Sequence, residues 1–294
     1  MHKFLRAIGF SNIKKRKELQ NLITDVIVNS QECFYTSNGE ENILAQFCKD
    51  FAENIGIAVC GEFDSEDKFS YDYYYPYLRG TGISSEEDVT VERHAGNESY
   101  AGICDDIKVG VSLIFYLQNM IPYVKAKNSN CLPVKGTTLT LSALSIQGKI
   151  VMPIRKNEKD KRIIKKVSNN RNSLIAAARR GDEDAIESLT LEDMDTYSTI
   201  SKKIHTEDVF SLVDTYFMPY GVECDQYSIL GEIIDCQKVK NRLTEEGVYQ
   251  MTVNCNDLQF DICINEEDLY GEPQIGRRFK GAIWMQGYIN FPDE

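Results

Sequence analysis

The sequence predicts an α+β protein. N-terminal helices pack on an antiparallel sheet, a helical connector follows, and a small OB- or SH3-like β-barrel closes the chain. Three observations carry this reading. Residues 227–291 alternate at the two-residue period of half-buried strands. Residues 57–154 hold seven strand-like runs with no helical stretch between them, which implies antiparallel pairing. Residues 155–214 then switch to helical composition with segregated charge. The expected division is therefore 1–154 for the α+β part, 155–215 for the connector and 216–294 for the barrel.

The C-terminal stretch is the best patterned. In YSILGEIID, Tyr227, Ile229, Gly231 and Ile233 share one face. In GVYQMTVNC, Tyr249, Met251, Val253 and Cys255 oppose Val248, Gln250, Thr252 and Asn254. Asn256-Asp257 then reads as a two-residue hairpin turn into LQFDICIN. RRFKGAIW and MQGYINF read as a last strand pair, with Gly231, Gly276, Gly281 and Gly287 as bends or bulges. A curved open sheet is the alternative to a closed barrel. Trp284, the only tryptophan, is core filler or a stacking platform for a ligand.

At the N-terminus, His2 to Ile8 forms a short helix stopped by Gly9. A second helix runs from a Ser11 cap to Val28, with Leu19, Leu22, Ile23, Val26 and Ile27 in one stripe. Ile43, Leu44, Phe47, Phe51 and Ala52 suggest a third helix over residues 40–54, ended by Gly56. IAVCGEF and KFSYDYYYPYL are strands joined by an acidic turn. Phe69, Tyr71, Tyr73, Tyr75 and Tyr77 form an aromatic ladder that fastens the sheet or presents a binding surface, and Pro76 suggests an edge. Further strands follow in DVTVERHA, ESYAGICDD, KVGVSLIFYLQN, TTLTLSALSI and KIVMPI, with turns at Ala95-Gly96-Asn97 and Gln147-Gly148.

Residues 155–180 hold ten Lys/Arg and two Asp/Glu; residues 181–214 hold two and ten. The two blocks satisfy each other or dock a partner. NSLIAAARRG reads as a helix ending at Gly181, and Thr190 and Thr206 as caps of two more. AARRGDEDAIESL is similar to one helix-turn-helix of an ankyrin-type repeat, but it occurs once, which excludes a solenoid.

A formal net charge of −12 argues against a broad phosphate-binding surface, so nucleic acid is an unlikely partner. No apolar run has the length of a signal peptide or membrane span, and nine scattered cysteines without a CxxC pair read as reduced thiols. A cytoplasmic protein without a membrane contact is expected. No metal site or cofactor is expected, because the three histidines stand apart and no cysteines cluster.

The weak catalytic candidates are His94, Cys104, Asp105 and Asp106, which a hairpin would bring together. Carboxylates beside Cys104 disfavour its thiolate. RGTG at Arg79 to Gly82 holds two glycines of a phosphate-cradling loop but lacks the third. Candidate ligand contacts are Tyr73 and Tyr75 on the aromatic face and Arg277, Arg278 and Trp284 in the barrel.

MHKFLRAIGF, EDVFSLVDTYFMPYGVECDQYSILGEI and GEPQIGRRFKGAIWMQG together resemble an uncharacterised family of cytosolic proteins from Gram-positive anaerobes, catalogued only as a domain of unknown function. The resemblance covers nearly the whole chain and implies no activity, cofactor or catalytic residue. The expectation is a non-enzymatic binding or adaptor protein, its partner a protein or small molecule. A hydrolase or transferase using His94 with Asp105 or Asp106, and a weak single-stranded nucleic-acid binder, are the alternatives.

Overall fold

Five strands close into a barrel, a separate four-stranded sheet packs against it, and three more strands extend its seam. The structure, a computed structural model of the 294-residue chain, describes residues 2–37, 43–94, 99–106, 108–109, 111–129, 131–132, 136–154, 170–171, 173–178, 180–203, 210, 213–222 and 224–292. A 3-10 turn, Lys3–Ile8, ends at Gly9 in the left-handed region. Helix α1 (Arg16–Val28) follows, then strands β1 (Glu32–Ser37), β2 (Ile43–Ala52), β3 (Ile55–Phe63) and β4 (Phe69–Leu78), paired antiparallel in that order. Strands β5 (Val89–Arg93), β6 (Tyr100–Cys104) and β7 (Leu113–Leu117), helix α2 (Met120–Asn128) and strand β8 (Thr138–Val151) come next. Helix α3 (Glu183–Lys203) precedes β9 (Tyr216–Pro219), β10 (Gln226–Lys240), β11 (Gly247–Cys255), β12 (Leu258–Asn265), β13 (Leu269–Tyr270) and β14 (Arg278–Asn290).

The barrel runs β8-β12-β11-β10-β14 and closes because β14 pairs back onto β8 over its whole length. The β12–β8 contact is parallel; the others are antiparallel. Beyond the seam, β14 also pairs parallel with β7, which continues through β6 to β5. The fifth stave is thus β8, from before the connector, in place of the expected final hairpin. Residues 278–290 form one unbroken strand because none of them has a positive φ that would turn the chain. Likewise TTLTLSALSI and KIVMPI are one strand. Gln147-Gly148 lies inside it, and the only irregularity is a register shift opposite Ala282/Ile283. Gly148 faces Gly281 across that pairing, and a Cβ at either would meet the Phe279 ring at 2.4 or 2.7 Å. The two glycines make room for a ring that fills the barrel.

Two further expectations are corrected. Residues 43–52 are strand β2, not a helix. Both of its faces are covered, so the alternation that would announce a strand is erased. Thr190 lies inside α3, donating to the Ile186 carbonyl, while Asp182 accepts from Ala185 N at 3.1 Å and caps the start. Thr206, Ala95, Gly96 and Asn97 lie outside the described residues. By contrast Asn256 and Asp257 have φ of 54° and 64°, the doubly left-handed geometry of a tight hairpin turn.

Two apolar cores result. One fills the barrel and its extension, with Phe115, Ile229, Met251, Phe260, Ile262 and Phe279 all sealed from solvent. The other lies between the N-terminal segment, the β1–β4 sheet and the outside of the barrel, and joins Phe4, Ile8, Ile23, Ile55, Ile57 and Trp284. Between the two charge blocks, Arg171 pairs with Asp193 at 2.7 Å and Glu192 at 3.5 Å. No described helix is long and apolar enough to cross a membrane.

Candidate functional site

The sequence-predicted residues separate into distinct environments. In the β5–β6 hairpin, Cys104 pairs with Val89 while His94 follows Arg93 at the other end. Five residues of strand lie between them, about 17 Å at the usual rise. His94 Nδ1 lies 3.0 Å from the Ser99 hydroxyl. Cys104 is sealed, its thiol 3.7 Å from Ser85 Oγ, and burial pushes it up to about 11. Asp106 accepts from Ser85 Oγ at 2.6 Å and Lys108 N at 2.9 Å, and Asp105 accepts from Ser112. The carboxylates therefore hold the chain around the hairpin end, out of reach of His94.

In the barrel, Trp284 is buried, not a platform. Its Nε1 donates to Asp225 at 2.6 Å and its ring stacks on Phe4 at 5.2 Å with Tyr116 at 5.3 Å. As the only tryptophan, it is expected to give blue-shifted native emission that iodide quenches poorly. Asp225→Ala should shift that emission to the red, and full iodide access in the native protein would contradict the placement. Arg278 is also buried and gives its guanidinium to main-chain carbonyls, whereas half-buried Arg277 donates to the Glu272 carbonyl at 2.8 Å. The three residues share no exposed groove.

The aromatic ladder leads to a cavity. Tyr73 is mostly buried beside Met120 Sδ at 3.7 Å. Tyr75 and Tyr77 are fully buried and wall a cavity of about 310 Å³ between the β1–β4 sheet and the seam of the barrel. Strand β2 supplies Gln46 and Cys48, the loop after β4 supplies Arg79, and the end of β7 supplies Gln118 and Asn119. Thr140 of β8 and Tyr288 and Asn290 of β14 complete the wall. A second, more open groove of about 640 Å³ lies between α1 and the turn at Arg242 to Thr244.

Buried hydrogen bonds set the cavity wall. Gln46 Nε2 donates to the Gln118 carbonyl at 3.2 Å and to Tyr75 Oη at 3.1 Å. Tyr75 Oη donates to that same carbonyl at 2.9 Å. Gln118 Nε2 donates to the Leu78 carbonyl at 2.9 Å and to Gln286 Oε1 at 2.8 Å. Because main-chain carbonyls only accept, these contacts decide which end of each carboxamide is nitrogen.

At the mouth, Arg79 forks onto Glu32 at 3.1 and 2.7 Å, lies 3.5 Å from Asp50, and stacks over the Tyr77 ring. Burial opposes its charge, but Tyr77, Asp50 and Glu32 outweigh that and raise its pKa, so it stays a cation. Burial pushes the Cys48 thiol up to about 11, against the pull of Gln46 Nε2, which leaves it protonated at neutral pH. Burial likewise raises Tyr288. In the RGTG loop, Asp261 takes the Thr81 N–H and hydroxyl at 2.6 and 2.7 Å, which spends those donors within the protein. Among the described residues no group of three or more His, Cys, Asp or Glu could hold a metal ion. Sequence reasoning reached Tyr75 and weighed Arg79, but missed Gln46 and Gln118. A glutamine inside an apolar run carries no local signal of a site.

These features define a class: a mixed α and β protein built on a five-stranded barrel, with a companion sheet and a polar cavity where the two meet. The family model described as "Domain of unknown function, E. rectale Gene description (DUF3881)" matches residues 5–287, and the chain belongs to that family. No curated protein and no solved structure matches it.

Proposed function

We propose that the protein binds a small molecule in the cavity between the β1–β4 sheet and the barrel seam, and acts by binding rather than by bond-making chemistry. One observation supports this most. Segments far apart in the chain converge to bury polar side chains, Gln46 at 6% and Gln118 at 7% exposure, in a hydrogen-bonded wall around a cavity. Polar groups gathered in a concave, partly aromatic site of this size are what ligand sites require. The barrel interior offers no rival, since apolar side chains fill it. The protonated Cys48 and ion-paired Arg79 supply no nucleophile or acid–base pair.

The reading is tested with saturation-transfer NMR on the full chain, using a mixed library of neutral, anionic, cationic and apolar small molecules. Asn290→Trp, at the half-buried rim, serves as a plug. At least one compound is expected to bind the native protein and to lose its signal in the plugged variant while the melting temperature holds. A library whose signals are the same in both proteins would overturn the proposal.

A further inference from the structure

We infer that the ligand is an uncharged polyol of about monosaccharide size, read by the carboxamide oxygens of Gln46 and Gln118. This rests on the cavity reading above and goes on to name the ligand's chemistry. Both glutamines are more than nine-tenths buried, and both spend their nitrogens on groups that fix the amide orientation. Neither Oε1 has a hydrogen-bond partner among the described residues, neither is sealed from solvent, and both residues line the cavity. At the rim, Thr140 donates to the Gly82 carbonyl at 2.6 Å, so it accepts from Asn290 Nδ2 at 2.9 Å. That leaves Asn290 Oδ1 as a third acceptor. The wall therefore asks for donors, at three acceptor oxygens.

Charge narrows the choice. An anion would need Arg79, whose fork is already on Glu32 and whose other side meets Asp50 and Tyr77. It would also face the carboxamide oxygens. A cation would lose its hydration shell with no unpaired carboxylate among the described lining residues to replace it, a cost far above that of a neutral group. An apolar guest would leave the glutamine oxygens buried without a donor, which costs it the binding its contacts would give. A neutral polyol satisfies the acceptors with hydroxyls, and its C–H face lies on Tyr75 and Tyr77. The cavity of about 310 Å³ is at the small end for ligand sites, which suits one sugar ring.

The test is a titration panel on the full chain by saturation-transfer NMR and calorimetry. It holds glucose, galactose, mannose and N-acetylglucosamine, their 6-phosphates, adenosine and putrescine. At least one neutral sugar is expected to bind ten-fold or more tightly than its phosphate, adenosine or putrescine. Gln46→Met, which keeps the length and removes the acceptor, should weaken it about ten-fold. Because Gln46 also braces Tyr75, Tyr288→Phe is measured beside it at the rim, where an unchanged melting curve is expected with a loss of about three-fold. If phosphates, adenosine or putrescine bind in a way that Asn290→Trp abolishes and the neutral sugars do not, the ligand class is wrong and the cavity still binds. If no panel member and no library compound binds, both the ligand class and the binding role fall.

Discussion

Arg278→Met is expected to cost about 3–5 kcal/mol of folding stability, read as a lower denaturation midpoint in urea with an unchanged slope. Arg278 is 3% exposed and, among the described residues, makes five hydrogen bonds to four main-chain carbonyls. Two go to Met152 just past β8, at 3.1 and 2.8 Å. Three go to Phe210, Val213 and Asp214 just before β9, at 2.6, 2.8 and 3.1 Å. Charged hydrogen bonds contribute about 1.5–3 kcal/mol, and losing the donor strands buried acceptors, although the separate costs do not add. Methionine fills much of the volume, so the loss isolates the polar part. Arg278→Lys should recover only part of it, because an ammonium cannot reproduce the planar fork. A loss under about 1 kcal/mol would show that the carbonyls find other partners.

Phe115→Ala should cost a similar amount, about 3–5 kcal/mol, through the cavity it opens. The Phe115 ring is sealed from solvent and lies between two glycines, one on each neighbouring strand. A Cβ at Gly102 of β6 would meet it at 2.2 Å, and one at Gly287 of β14 at 2.3 Å. The same ring therefore makes Gly102→Ala unfavourable, by about 1–3 kcal/mol of overpacking. Combined, the two changes partly cancel: Phe115→Ala/Gly102→Ala is expected to be more stable than the sum of the singles by about 1 kcal/mol. Chemical denaturation of the four proteins decides it. Strict additivity would mean the glycine is there for another reason.

The parts of the fold legible in the sequence were those with local causes. Asn256-Asp257 accepts positive φ, so the β11–β12 hairpin could be read from two residues and their flanking alternation. The strands β3 and β4 show their own turn in between. What was not legible depended on cover from distant segments. Strand β2 is buried on both faces, which removes the period-two pattern and leaves apolar spacings that imitate a helix. Strand β8 becomes a barrel stave only by pairing with β14, some 140 residues later, and no residue in it announces that partner. The cavity is harder still. Gln46 and Gln118 are ordinary residues until the companion sheet folds against the seam and brings them into one cavity wall.

Arg278 also has a consequence for how the chain tolerates change. The two ends of the stretch between Met152 and Phe210 converge on a single guanidinium, so everything between them departs from and returns to one point on the barrel. Closure of the β-structure is then insensitive to the length of that excursion, since ring entropy grows only with the logarithm of loop size. This is the place where insertions, deletions or a grafted domain should be accepted with least disturbance to the rest of the molecule.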